Sequence, residues 1–374
     1  MILKKEIVIV GGGLAGLTCA IHLLKCGHPI TLIEKSTYPH HKVCGEFISN
    51  EVRSYLSALD VDINSLKPSE ISQLQISSIK GKVISSELPL GGFGISRYVL
   101  DSYLYQKATD MGCEVINDAA DHIEFLNDEF NIYTLQNGII KAGLVVGAFG
   151  KRSMLDQQLG RSFFKEKSPW LAVKAHYKGE IEDDRVALHN FDGGYCGISR
   201  IENNRINVCY LSNYKKFKAH KSMEEFQEAV LHKNPQLKVF FEHAEMIFEQ
   251  PITISQVSFA KKKSVEEHIL MIGDTAGLIH PLCGNGMAMA IHSAKLCAES
   301  CDKYLNSDIK NRYQLESTYQ KAWKSAFQKR LRMGRMLSKL FENGKLFNIM
   351  LYLLAKFPSL LKGIIKSTHG TPNI

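Results

Sequence analysis

From Lys4 to Val10 the chain alternates little and is rich in Ile and Val, which predicts a buried parallel strand. Apolar residues then recur at helical spacing from Leu14 to Cys26, and Pro29–Ile33 returns to strand, giving a βαβ opening. A loop is predicted over 36–50 and a helix over Glu51–Leu59. Strands follow near 71–79 and 82–88, then a helix from Tyr98 to Met111. Residues 113–147 hold several short strands ending in LVVGAFG. Beyond 155 the pattern changes. WLAVKAHYKG, RVALHNF, GYCGIS and RINVCYL are strands at short intervals, as in an antiparallel sheet, broken by a helical patch at 222–243. HILMIG (268–273) is strand again, and Gly286–Leu305 is helix. The expected class is α/β, a chain that leaves a Rossmann-type domain (1–70, 90–154 and 266–320), builds an antiparallel β-sheet domain (71–89 and 155–265) and returns. A helical C-terminal region (321–374) follows.

Composition changes this picture little. With 374 residues, 45% hydrophobic and 22% charged, the chain can bury a full core in one larger and one smaller domain. The nine cysteines are scattered, with no CxxC pair, which fits reduced thiols in a cytoplasmic protein and no structural zinc or other metal site. The opening MILKKEIVIVGGG reads as a strand running into a glycine turn, not as a secretory signal. Charge does localise. Residues 327–366 carry nine Lys or Arg against one acid, and the rest of the chain is balanced, 37 against 37, so nucleic-acid binding by the main body is not expected.

Three stretches carry candidate chemistry. The first is GGGLAG (Gly11–Gly16). Gly11 permits a tight turn, Gly13 lets backbone approach a pyrophosphate, and Gly16 lets helix pack on strand. Glu34 closes the second strand, where a carboxylate can accept ribose hydroxyls. The second is Arg97, heading the helix of SRYVLDSYLYQKA. An arginine at a helix start opposes the helix dipole, so a pyrophosphate or flavin contact is expected to hold it there. The third is HILMIGDTAGLIHPLCGNGMAMAI (268–291). Asp274 ends a buried strand, and Gly284–Asn285–Gly286 opens an apolar helix whose free N–H groups can face a flavin edge that becomes negative on reduction.

This order, GxGxxG, then an arginine-headed helix, then GD-x-A-G…P-x-x-G-x-G, resembles the FAD superfamily of aromatic-ring hydroxylases and geranylgeranyl reductases over most of residues 1–310. The resemblance implies FAD contacts from Gly11, Gly13, Leu14, Ala15, Gly16, Glu34, Lys35, Arg97, Asp274, Gly284, Gly286 and Met287, with Ala120 near the adenine. KVCGEFIS (42–49) looks like the CGE loop of the reductase branch, where a cysteine sits near the flavin. Cys44 and His280 are the candidate proton donors. The reductases' Y-x-W-x-F-P segment falls on GGYCGIS (193–199), where Tyr195 alone is retained. Phe149 stands where hydroxylases carry an aspartate, and IHPLCGNG is similar to quinone-ring hydroxylases.

The resemblance implies NAD(P)H as reductant and an apolar substrate, an isoprenoid or phenolic lipid. C=C reduction is favoured, with ring hydroxylation as one alternative and non-catalytic prenyl or lipid carriage as another. In the tail, Leu331, Met336, Leu337, Leu340 and Phe341 share one predicted helical face opposite Lys and Arg. LFNIMLYLLA (346–355) is too short to span a bilayer, which takes about 20 apolar residues. Residues 327–366 are expected either to lie on the inner face of a membrane or to cap the sheet domain.

Overall fold

In the computed structural model, residues 2–342 and 344–370 are described, the side chains of 2–5, 340–342, 344, 345, 348 and 358 excepted. Two sheets organise them. In the first, the parallel order is Ile269–Met271, Gly138–Gly147, Ile2–Val10, Ile30–Ile33, Glu114–Ile116. An antiparallel meander of Ala120–Leu126 and Glu129–Thr134 leads into Gly138–Gly147. Ile7, Val8 and Ile9 are fully buried in the main core, as expected for a central parallel strand. Helix Leu14–Lys25 lies between Arg97–Asp110 and Gly286–Leu305, which completes the nucleotide-binding layer.

The second sheet has nine strands. Its main order is Glu245–Met246, Trp170–Lys178, Ile206–Asn213, Gly194–Arg200, Arg185–Phe191, Ser69–Ser77, Val83–Gly94, Phe47–Ser49, with Ile252–Ser255 also paired to Trp170–Lys178. Strand alternation sorts its two faces. Leu171, Val173, Ala175 and Tyr177 enter a core shared with the helices of 214–243, whereas Lys174 and His176 point the other way, toward the first domain. One strand lies outside the expected boundaries: Phe47–Ser49, anticipated as loop, pairs with Val83–Gly94. Three residues are too few for periodicity to register.

The C-terminal region starts earlier than its charge pattern suggested. Helix Arg312–Glu342 buries Leu315, Tyr319, Trp323, Phe327 and Leu331, one every fourth residue, in the main core. The Tyr319 hydroxyl donates to the Met271 carbonyl at 2.5 Å. Leu337 is buried, but Met336 turns outward, so they do not share the predicted face; the side chains of Leu340 and Phe341 lie outside the described residues. Helices Gly344–Lys356 and Pro358–Thr368 then set Phe347, Leu351, Leu354, Leu361 and Ile365 against Ile71, Leu74, Ile76, Ile84 and Leu88 of the second sheet. No helix among the described residues is long and apolar enough to cross a membrane.

Candidate functional site

A cavity of about 1040 Å³ extends from the glycine turn of the first domain to the C-terminal helices. At its nucleotide end Gly11 has φ +109°, and any Cβ there would collide with the Ala148 carbonyl, so the turn requires glycine. A Cβ on Gly13 would instead meet only the tips of two cations, Arg97 Nη2 at 3.6 Å and Lys42 Nζ at 3.7 Å. The space over the turn is thus faced by two positive side chains and the start of a helix, as a diphosphate needs. Gly16 sits behind the turn, packed on Gly11, and does not line the cavity; it serves helix–strand packing, a correction to its expected contact.

Asp101 explains how Arg97 is held at a helix start. Its carboxylate takes Arg97 Nε and Nη2 at 2.7 Å each, and Lys42 Nζ approaches it at 3.2 Å. Burial opposes ionisation of Asp101, but the two cations outweigh it and bring the carboxyl below its ordinary pKa. Glu34 is almost fully buried at the cavity wall. It accepts the Gly12 N–H at 2.7 Å and the Ser36 N–H at 2.9 Å, which fixes the carboxylate and leaves lone pairs for ribose hydroxyls. Leu14, Ala15, Lys35 and Ala120 line this end as well.

At mid-cavity Gly273 (φ +58°) donates its N–H to Ser293 Oγ at 2.8 Å and presents Asp274. Gly284 takes a left-handed φ of +59°, turning the chain so that helix Gly286–Leu305 points its N-terminus into the cavity beside Met287. Asn285, between them, is fully buried at the cavity wall. Its Nδ2 donates to the Thr368 carbonyl at 2.9 Å and to Glu51 Oε2 at 3.3 Å. Glu51 also accepts from Arg330 at 2.9 Å and from the Gly370 N–H.

Cys44 lines the opposite wall, on a loop fixed by a buried cluster that sequence reasoning passed over. Glu46 accepts from Lys174 Nζ at 2.5 Å, from His176 Nε2 at 2.7 Å and from the Arg97 backbone N–H at 2.7 Å. All three side chains are essentially inaccessible. Burial alone would raise the Glu46 pKa, but Lys174 and His176 bring it below its ordinary value. Asn207 Nδ2 donates to the Cys44 and Gly45 carbonyls at 3.3 and 2.9 Å. Glu46 was in plain view in the CGE loop. Lys174 and His176 were signalled as two ionisable residues, two apart, within an apolar strand.

His280 stands apart. Its ring is caged by Phe259, Tyr195 and Trp170 at centroid distances of 4.5, 6.0 and 6.3 Å, and its Nδ1 accepts the Leu282 N–H at 3.4 Å. It does not line the cavity, and burial pushes its pKa down to about 3. A neutral, enclosed imidazole is a packing element, so the expected proton-donor role is corrected.

Past Cys44 and Tyr195 the cavity becomes an apolar lobe. Leu74, Ile76, Leu88, Val186 and Leu188 of the sheet form its floor, and Met350, Leu354, Leu361, Ile364 and Ile365 of the C-terminal helices form its roof.

Comparison with known proteins agrees with the nucleotide end. Residues 6–65 match the family model for "FAD dependent oxidoreductase". The chain is similar to conditioned medium factor receptor 1 of Dictyostelium discoideum (22% identical; 89% of this chain and 70% of that protein). It is also similar to the menaquinone reductase of Mycobacterium tuberculosis (23%; 79% and 76%) and to the digeranylgeranylglycerophospholipid reductase of Methanocaldococcus jannaschii (27%; 85% and 82%). Among solved structures it superposes on a flavin-dependent brominase (TM-score 0.81, 17% identical, 98% and 93% covered). A geranylgeranyl bacteriochlorophyll reductase-like protein from Thermoplasma acidophilum superposes with TM-score 0.77 at 20% identity, covering 98% and 97%. Residues 6–65 are thus similar to the FAD-dependent oxidoreductases, and the chain has the fold of solved flavoproteins.

Proposed function

We propose that this protein is an FAD-dependent oxidoreductase, reduced by NAD(P)H, that reduces a carbon–carbon double bond of an apolar, isoprenoid-like lipid. The observation that carries this reading is the apolar lobe opening directly off the nucleotide end of one cavity. When bound, FAD would supply the hydride chemistry. Arg97 and Lys42 would hold its diphosphate, and Glu34 would take ribose hydroxyls. Asp274 would meet the ribityl chain, and the Gly286 helix start would offer N–H groups to an anionic ring edge. The lobe excludes water and aligns the lipid chain. Cys44, on the wall between groove and lobe, is the thiol placed to deliver a proton to the substrate. Relatives named as reductases of menaquinone and of a digeranylgeranyl lipid support this class of substrate. A carrier would have no use for Glu34, the Arg97–Asp101 pair or Lys42 in this arrangement.

Anaerobic reduction with NAD(P)H followed by mixing with polyprenyl lipids tests the reading. Oxidised-flavin absorbance should return as the lipid gains two hydrogens. A colourless protein, or a reduced flavin that no lipid reoxidises, would count against it. The likeness to a flavin-dependent brominase motivates a second reading, oxygen-dependent ring chemistry. The reduced protein mixed in air with a phenolic or quinone-type lipid would then yield a ring-oxygenated product.

A further inference from the structure

We propose that the outer face of the C-terminal helical pair is a docking surface for an anionic lipid bilayer, so that lipid passes from membrane to cavity around a roof one helix thick. This rests on reading the apolar lobe as the lipid site. A helix that covers a core ordinarily shows polar residues to solvent. Here Ile349, Tyr352, Leu353, Phe357 and Leu360 are exposed, Ile349 and Tyr352 at 57% each, while Leu354, Leu361 and Ile365 on the reverse side roof the cavity. The pair is apolar on both sides, and clustered exposed apolar side chains mark an interaction surface.

Charge selects the occupant. From 346 to 370 the sequence contains no Asp or Glu, and Lys356, Lys362 and Lys366 are all exposed around the apolar residues, Lys362 at 3.5 Å from Glu87 of the sheet. A second copy docked on this face would set lysines against lysines. An anionic bilayer offers opposite charge and hydrocarbon together, and a short helix whose inner side is already committed lies in the interface plane rather than across it.

Flotation of the full-length protein with phosphatidylglycerol and phosphatidylcholine vesicles, at two salt concentrations, tests this without turnover. Binding should favour phosphatidylglycerol and weaken with salt. Lys356→Gln/Lys366→Gln should lose about fivefold in affinity per lysine. Ile349→Ser/Leu353→Ser should lose binding while both variants keep the wild-type melting temperature. Three outcomes would overturn the proposal: no binding to anionic vesicles, equal binding by wild type and both variants, or a solution dimer that Ile349→Ser/Leu353→Ser converts to monomer. Vesicle binding together with failure of every lipid to reoxidise the flavin would sink the oxidoreductase reading alone.

Discussion

The side-chain amide of Asn285 donates to the backbone carbonyl of Thr368 at 2.9 Å across 83 residues of sequence. The residue that introduces the helix Gly286–Leu305 therefore also holds the end of the cavity roof. Glu51 sits under both, taking Asn285, Arg330 and Gly370. Roof and cofactor end thus share one buried polar knot, and disturbing it reaches both.

Asn285→Ala should expose this coupling. It leaves the Thr368 carbonyl short of a donor in a buried place, while Glu51 Oε2 keeps the Gly370 N–H, and such a loss costs about 1–3 kcal/mol. The C-terminal helices should become protease-sensitive before the rest of the chain, and a dye for apolar surface should bind the variant more strongly. An unchanged proteolysis pattern would show that packing on the sheet alone holds the roof.

Lys42 and Glu34 make a paired prediction about FAD. Lys42→Met should weaken FAD binding by about 1.5–3 kcal/mol by removing one of two cations over Gly13. Its remaining affinity should respond less to salt than that of the wild type. Glu34→Gln should cost about 1–3 kcal/mol through a lost charge-assisted bond, with the wild-type salt response retained. Titration of apoprotein at two ionic strengths reads both; equal salt responses would mean that Lys42 does not face the diphosphate.

How far the sequence foretold this site depends on range. Gly11, Gly13, Glu34, Arg97 and Asp274 were legible because a turn, a strand end or a helix start each leaves a local signature, and the structure brings these residues to one cavity. Lys42 and Lys174 were not, because their roles arise from pairings between distant segments: Lys42 reaches Asp101, and Lys174 meets Glu46 across 128 residues, whereas Asp101 lies one helical turn after Arg97 and its local pairing went unread. The turn Gly284–Asn285–Gly286 was legible as a helix start, although which of its glycines is left-handed, Gly284, was not. The tail's inner face was obscured because its helices are apolar on two sides, so one-stripe periodicity does not say which side is buried.

Stability should fall on acidification well before the carboxylates titrate. His189 and His280 are buried, and burial holds them neutral down to about 4 and about 3. The unfolded chain takes up protons on both below about pH 6.5. Because the unfolded state binds more protons there, stability drops with pH, by about 1.4 kcal/mol per unit for each histidine. Asp101 and Glu46, depressed in the folded state, add a further loss as pH falls below the ordinary carboxylate range. Chemical denaturation between pH 7.5 and 5 should show the first slope, and His280→Phe should reduce it by about one proton's worth. A flat profile would contradict the buried, neutral state of both rings.

Lys174 and Glu46 give the last prediction, in which removing more should harm less. Lys174→Met leaves the Glu46 carboxylate buried with only His176 and the Arg97 N–H as partners. Breaking one side of a buried ion pair in this way costs about 3–5 kcal/mol. Replacing both as Glu46→Leu/Lys174→Met removes the stranded charge, although the Arg97 N–H and His176 then lose an acceptor, so the double variant should recover part of that loss rather than all of it. Denaturant unfolding of both single variants and the double variant yields the coupling energy, which should be well above about 1 kcal/mol, the ceiling for exposed pairs. The consequence for the site should run opposite to stability. Glu46 holds the Cys44 loop to the second sheet, so the double variant, though better folded than Lys174→Met, should still bind and reduce substrate poorly. If it regains stability and full activity together, the cluster only fills space and does not position the Cys44 wall.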